Sequence, residues 1–492
     1  MLDKTPGSPD WYLDRLGRKI LAQQPRYDLL ESYMIGDHPL PSGDQRYVRA
    51  LRELQKRART NYFGLVTMAP VERMQVLGFR FGATEGSDKD AAHIWQANEM
   101  DYQSNLLHLS AAVFGDSYVV VSPPETPDGA PEVTVEDPRY YAVELDPQKK
   151  HKVVAACKIW ADDISQQIVA VVYLPSGIYY YVGPNVRDVD IYSIPTLTDR
   201  LFSHSNGLER TWSTPNPIGE VPVVRFAWRM TFTSTSMGEA EDVIDIQNRI
   251  NTEILNRLII SRSQAYKQRM IAGVKLPATK GRNKKPPFDP AADALWIVSD
   301  ENAKMFEFKE ADITQLLKAI RDDVGDMAAI TKTPPHYLLG EVVNVSGDAL
   351  KAAETGLVSK TRQRMRSVGW GWERVLRLCF KYMGDPRAEE AVASVIWEDP
   401  ETKSRAELAD AMTKEVSAGV PLALAMQRAK FTPEEIEFAL KEKRKEEARA
   451  MALQAAAQQS AQQSAVNQQG QQNGNSKSPK PNQTAPQPTP EE

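Results

Sequence analysis

The sequence predicts an α+β protein organised on a long helical hairpin. Three features carry that expectation. β-Branched and aromatic runs crowd residues 117 to about 228. Helical patterns precede and follow that region, with no strand–helix–strand alternation. From Ser236 to Lys381 the chain reads as a long helix, a short β-containing excursion, a return helix, a proline-marked turn and a third, very long helix.

The N-terminal segment, roughly 8–115, alternates helical patterns with breaks. Trp11, Leu13, Leu16 and Ile20 predict one helix, and Tyr27 to Ile35 a second, ended by Gly36. Val48 to Arg59 is basic and helix-like, and Gly78 to Phe81 reads as a strand. Asp90 to Phe114 predicts a single helix, with Gly115 where a C-terminal cap belongs. Strands are expected at 118–121, 133–135, 152–160, 168–174, 178–182 and 221–226, separated by Pro, Gly, Asn and Asp.

The first helix of the hairpin is predicted from Glu239 to Tyr266, on the order of 40 Å long. Val243, Ile246, Ile250, Ile254 and Leu258 recur at threes and fours along it. Ser236 and Glu239 stand in capping-box register ahead of it. Ile313, Leu316, Leu317, Ile320 and Val324 make the matching stripe of the return helix, whose other side carries Asp322, Asp323 and Asp326. Two narrow stripes of this kind need packing partners along their whole length, here expected in each other and in neighbouring copies.

Thr333-Pro334-Pro335 must end the return helix, since neither proline continues its ladder. A short apolar loop, 338–345, follows, and the third helix is predicted over 347–383 with a kink near Gly369 and Gly371. Residues 385–457 read as short helices. From 458 to 492 the chain is Gln, Asn, Ser and Pro with almost no apolar side chains, a composition predicting disorder.

Composition narrows the function classes. The chain has 492 residues, 41% hydrophobic, with a formal net charge of −5. That balance argues against coating nucleic acid by bulk attraction. No window is long and apolar enough for a membrane span, and residues 1–19 lack the apolar core of a signal peptide. Cys157 and Cys379 lie too far apart in sequence to suggest a disulfide framework or a cysteine zinc site. The histidines are scattered without metal-ligand spacing. Gly356 to Thr361 lacks the glycine before the lysine of a phosphate-binding loop, and no nucleophile elbow occurs. No catalytic residue, metal ligand or cofactor is nominated.

Several stretches, in order, resemble the portal (head-to-tail connector) proteins of tailed bacteriophages, of the siphovirus type. Tyr33 to Pro41 is similar to the family's early tyrosine–glycine loop. Ile94 to Asn98 followed by Ala112 to Val120 resembles its helix-to-strand junction, and Pro217 to Val224 the strand entering its stem. Thr333 to Gly340, then Ser346 to Lys351, resembles the turn after the second stem helix, and the basic third helix with Trp370 and Trp372 fits as well.

The resemblance implies a fold with a wing (1–238), first stem helix (239–266), clip (267–309), second stem helix (310–332), tunnel loop (333–346), long kinked wing helix (347–384), α-helical crown (385–457) and disordered tail (458–492). It implies a homo-oligomer, a dodecameric ring around a channel for double-stranded DNA at one capsid vertex. The site lies in the virion, with assembly in the host cytoplasm. Val342, Val343, Asn344 and Val345 would then be the tunnel loop facing DNA, the alternative being a buried helix–helix connection. Asp322, Asp323 and Asp326 suit a channel wall that does not grip phosphates, although a solvated outer face explains them equally. Lys280, Arg282, Lys284 and Lys285 of the basic clip loop suit either DNA or a protein partner, and docking of a protein at the clip is the favoured expectation. The implied partners are the terminase large subunit, capsid and scaffolding proteins, and head-completion or adaptor proteins, with no membrane. Two other classes share these features: a helical adaptor or scaffold of a phage particle that forms no ring, and an enzyme acting on nucleic acid.

Overall fold

The computed structural model describes residues 3–41, 48–82, 87–127, 129–162, 164–185, 209–264, 269–272, 304–307, 312–340, 347–401, 405–429, 431 and 433–472. Two compact units divide the chain, Met1–Pro400 and Glu401–Glu492.

In the first unit, α1 (Pro9–Met34) begins at Ser8, whose hydroxyl accepts from the Trp11 amide, with proline at the first helical position. It is one helix where two were predicted. Pro25 lies inside it, at a cost of about 3 kcal/mol. Burial of an unbroken face offsets that cost. Leu13, Leu16 and Ile20 pack on a sheet, while Leu30 and Tyr33 enter a second core. Beside the proline, Gln24 donates to the carbonyls of Ile20 and Arg139 at 3.1 and 2.7 Å. Helices α2 (Val48–Ala58) and α3 (Tyr62–Val71) follow, then β1 (Val76–Phe81).

The single helix predicted over 90–114 is two, α4 (Lys89–Ala97) and α5 (Met100–Phe114). Glu99 takes a left-handed φ of 53° between them. Asn98 explains the break. Its amide donates to Ile94 and Pro131 carbonyls, and its oxygen accepts from Val133, tying the corner to a strand. Gly115 caps α5 with φ 89°.

Strands β2 (Asp116–Ser122), β3 (Glu132–Glu136), β4 (Tyr141–Leu145), β5 (Val153–Asp162), β6 (Gln167–Leu174), β7 (Gly177–Asn185), β8 (Glu209–Pro215) and β9 (Val223–Ala227) form two antiparallel sheets, β3–β2–β9 and β4–β5–β6–β7–β8. β2 is buried on both faces, which is why it reads as a continuous apolar run. Tyr118 and Val120 face a core shared with β4 and β5, while Val119 and Val121 face the largest core. β4 and β8 were not predicted.

A short hairpin, β10 (Arg229–Met230) with β11 (Ser236–Met237), leads into a 3₁₀ turn and α6 (Ile244–Gln264). β12 (Arg269–Ala272) pairs antiparallel with β13 (Lys304–Glu307), and α7 (Thr314–Thr331) returns. After α8 (Pro335–Leu339), a short helix that takes in the first two residues of the apolar loop expected at 338–345, comes α9 (Gly347–Tyr382). α9 runs as one helix through Gly369 and Gly371, and the structure gives those glycines a packing role. A Cβ on Gly371 would overlap the ring of Phe226, and one on Gly369 would lie 3.3 Å from Trp397 Nε1. Met365, Val368, Trp372, Leu376 and Phe380 of α9 fill the largest core with Phe79, Trp95 and Phe226.

Residues 385–400 were grouped with the C-terminal helices but belong to the first unit. Within them β14 (Ala393–Trp397) pairs antiparallel with β1 across most of the chain. The second unit comprises α10 (Arg405–Ser417), α11 (Leu422–Arg428) and α12 (Pro433–Gln472), with Ala425 and Met426 buried. α12 passes the predicted end at residue 457. Its continuation is Gln-rich, and glutamine is among the better helix formers. Residues 473–492 lie outside the described residues.

Candidate functional site

The helical pair α6–α7 is the part of the fold that the sequence singled out. Its far ends are joined through the β12–β13 ladder, and Arg249 of α6 reaches Asp323 of α7 at 2.7 Å, so the two helices run in opposite directions. Val243, Ile250, Ile254 and Val324 are buried, and Ile246, Leu258 and Ile320 partly buried. They do not pack on each other alone. Leu30 and Tyr33 of α1, Leu54 and Ala58 of α2, and Phe63 and Val66 of α3 complete the same core. Ile313 and Leu316 are half-buried, and Leu317 is 43% exposed. The stripe of α6 is therefore satisfied largely within one protomer.

Polar groups lock α6 in register with the N-terminal helices. Gln247 accepts from the amides of Tyr62 and Phe63 and donates to the Thr60 carbonyl. Asn251 accepts from the Thr60 amide and hydroxyl and meets His38 Nε2 at 2.7 Å. Tyr33 donates to Asn248 at 2.6 Å. Of the three acids singled out on α7, Asp323 is half-buried beside Arg249, Asp326 lies 3.5 Å from the same guanidinium, and Asp322 is exposed.

Sequence reading missed the charge cluster that holds α7 to α9. Glu239 was expected to cap the first hairpin helix, but that helix starts at Ile244 and Glu239 is 3% exposed. Its Oε2 accepts from Trp228 Nε1 at 2.6 Å and Arg364 Nε at 2.9 Å, and its Oε1 lies 3.0 Å from Lys360 Nζ. Burial alone would raise this carboxyl. Lys360 and Arg364, with the indole and guanidinium donors, outweigh it and hold Glu239 below the usual carboxylate range. Lys360 also donates to the carbonyl of Thr331 at 2.7 Å, the last residue of α7. A cation there satisfies a C-terminal carbonyl and complements the helix dipole. The only trace in the sequence is Lys360 and Arg364 one turn apart, a pattern shared with any solvated helix face.

A second cluster lies beside it. Arg73 donates to the Tyr337 hydroxyl at 2.6 Å, pairs with Glu354 at 3.2 Å and donates to the Pro400 carbonyl at 2.9 Å. Tyr337 is on α8 and Glu354 on α9, so one arginine holds the elements on both sides of residues 341–346. Leu338 is buried in the α6–α7 core, and Lys332 ends α7 in a left-handed turn at φ 52°. Val342, Val343, Asn344 and Val345 lie outside the described residues, as do Lys280, Arg282, Lys284 and Lys285.

Among the described residues no group of three or more His, Cys, Asp or Glu is arranged to hold a metal, and no helix is long and apolar enough to cross a membrane. A family model described as phage portal protein, SPP1 Gp6-like, matches residues 14–450. The chain is 27% identical over 381 residues to a portal protein of Mycobacterium phage L5, covering 74% of each. It is 27% identical over 374 residues to a portal protein of Mycobacterium phage D29, covering 73% of this chain and 72% of that one.

Proposed function

The chain belongs to the SPP1 Gp6-like family of phage portal proteins, and on that premise we propose that its copies close into a ring at one capsid vertex. DNA enters through the ring during packaging and leaves through it on ejection. Residues 1–238 serve as the wing, α6 and α7 as the stem, and 267–309, with the β12–β13 ladder, as the clip. Residues 333–346 serve as the tunnel loop, α9 as the long wing helix, and the second unit as the crown. The clip is the docking platform for the terminase motor and, later, for head-completion proteins. A separate terminase ATPase supplies the chemical work, and the ring takes part in procapsid assembly.

The family match carries this reading: it runs over residues 14–450, from within the wing into the crown. The anchoring of α7, α8 and α9 by Glu239 and Arg73 supports it: a loop that meets moving DNA needs firmly held ends. Particles assembled while this chain is absent are expected to contain no DNA. DNA-filled particles of normal genome length would contradict the assignment.

A further inference from the structure

The first hairpin helix, α6, has different neighbours on two sides. Gln247 and Asn251 turn toward the Thr60–Phe63 segment that follows α2, whereas Arg249 turns toward α7. At about 100° per residue, Gln247 and Arg249 point about 200° apart. The end of α2 and the Asp323–Asp326 region of α7 thus flank α6 on opposite sides, at one level along its axis.

The two flanks carry opposite charge. The outer face of α2 exposes Arg52, Lys56 and Arg57 against the single acid Glu53, which lies 3.6 Å from Lys56. The stretch of α7 beside Arg249, from Asp322 to Ile330, carries three carboxylates and no cation, with Asp322 and Asp326 exposed, the latter with its side chain 68% accessible. Lys318 and Arg321 directly precede that stretch and Lys332 follows it. Each flank also shows an apolar side chain to solvent, Ile35 at 70% just after α1 and Ile330 at 55% near the end of α7. A basic-plus-apolar face on one side and an acidic-plus-apolar face on the other is what a head-to-tail contact between identical copies requires, since its two surfaces differ.

We propose that the Arg52–Lys56–Arg57 face of α2 seats against Asp322 and Asp326 on α7 of a second copy of this chain. The proposal rests on the ring reading above, in which rotation about an axis along the α6–α7 pair brings these equal-level faces together. A single exposed ion pair contributes little, but this contact recurs at every junction of a closed ring, and charge reversal adds repulsion at each.

The test is a charge exchange on the full chain, with assembly followed by analytical ultracentrifugation. K56E/R57E and D322K/D326K each raise the concentration for half-assembly at least tenfold, and the four-substitution chain returns to within threefold of the wild type. All altered side chains are exposed, and Arg249 keeps Asp323 at 2.7 Å when Asp326 is replaced, so each variant is expected to stay folded, which far-UV circular dichroism checks. Salt gives a second readout: raising NaCl weakens wild-type assembly, and K56Q/R57Q flattens that dependence. A wild-type ring untouched by either reversal, or impaired variants that do not restore one another, would overturn the contact while leaving the ring reading intact. Loss of affinity for a DNA duplex in K56E/R57E with unchanged assembly would assign the basic face to DNA and likewise overturn it. A wild-type chain that never assembles removes the ring reading and this contact together.

Discussion

Lys360 Nζ lies 3.0 Å from the buried carboxylate of Glu239 and donates at 2.7 Å to the carbonyl of Thr331. One ammonium thus joins the segment before α6, the end of α7 and the middle of α9. Replacing Glu239 with Gln leaves Lys360 and Arg364 buried without a counter-ion. The expected cost is about 3–5 kcal/mol, read from urea unfolding followed by tryptophan fluorescence. A loss below about 1 kcal/mol would show that the cluster does not hold these elements. Because Glu239 sits below its ordinary value, its stabilisation is present above the unfolded carboxylate value, about 4.5, and is lost as pH falls through the folded one.

His108 gives a second pH dependence. Trp372 Nε1 donates to its Nε2 at 3.0 Å, and burial pushes its pKa down to about 3. The unfolded chain takes up this proton first, near pH 6.5, so stability is full above that value and falls between 6.5 and about 3. Between pH 7 and pH 4 the wild type should lose about 3 kcal/mol more than His108→Gln, which keeps an acceptor for Trp372 but does not titrate. Parallel pH profiles for the two proteins would contradict the buried, neutral imidazole.

Gly371 admits the Phe226 ring against α9. Gly371→Ala should cost about 1–3 kcal/mol by overpacking, and Phe226→Leu in the same chain should recover part of it. Strictly additive losses, measured by thermal melting of the single and double variants, would place the strain elsewhere.

Ile250 is completely buried against α1–α3 and α7. Ile250→Asp should therefore unfold the protomer, at a cost of about 4 kcal/mol or more, rather than yield a folded chain that cannot assemble. A variant with native near-UV circular dichroism and no assembly would instead make the α6 stripe a seam between copies.

Much of this fold was legible because local pattern and burial agreed. β5, β6 and β7 are β-branched or aromatic runs in a meander, and α6, α7 and α9 carry apolar residues at helical spacing. What failed to show depended on distant partners. Glu209–Pro215 is an exposed strand held by pairing with β7, and Ala393–Trp397 is a strand only because β1 pairs with it. Pro25 and Asn98 reversed two boundary expectations, one because continuous burial tolerated a proline, the other because a side chain bonded across to β3. Glu239 looked like a cap since nothing local announces that Lys360 and Arg364 will meet it. The proposed grouping of these elements into wing, stem and clip rests on the resemblance and not on periodicity.

Native mass spectrometry of the purified full-length chain tests the ring most directly. The account predicts one closed species near twelve times 55.0 kDa, with a central hole in projection images. A chain that stays strictly monomeric or dimeric at high concentration would contradict it.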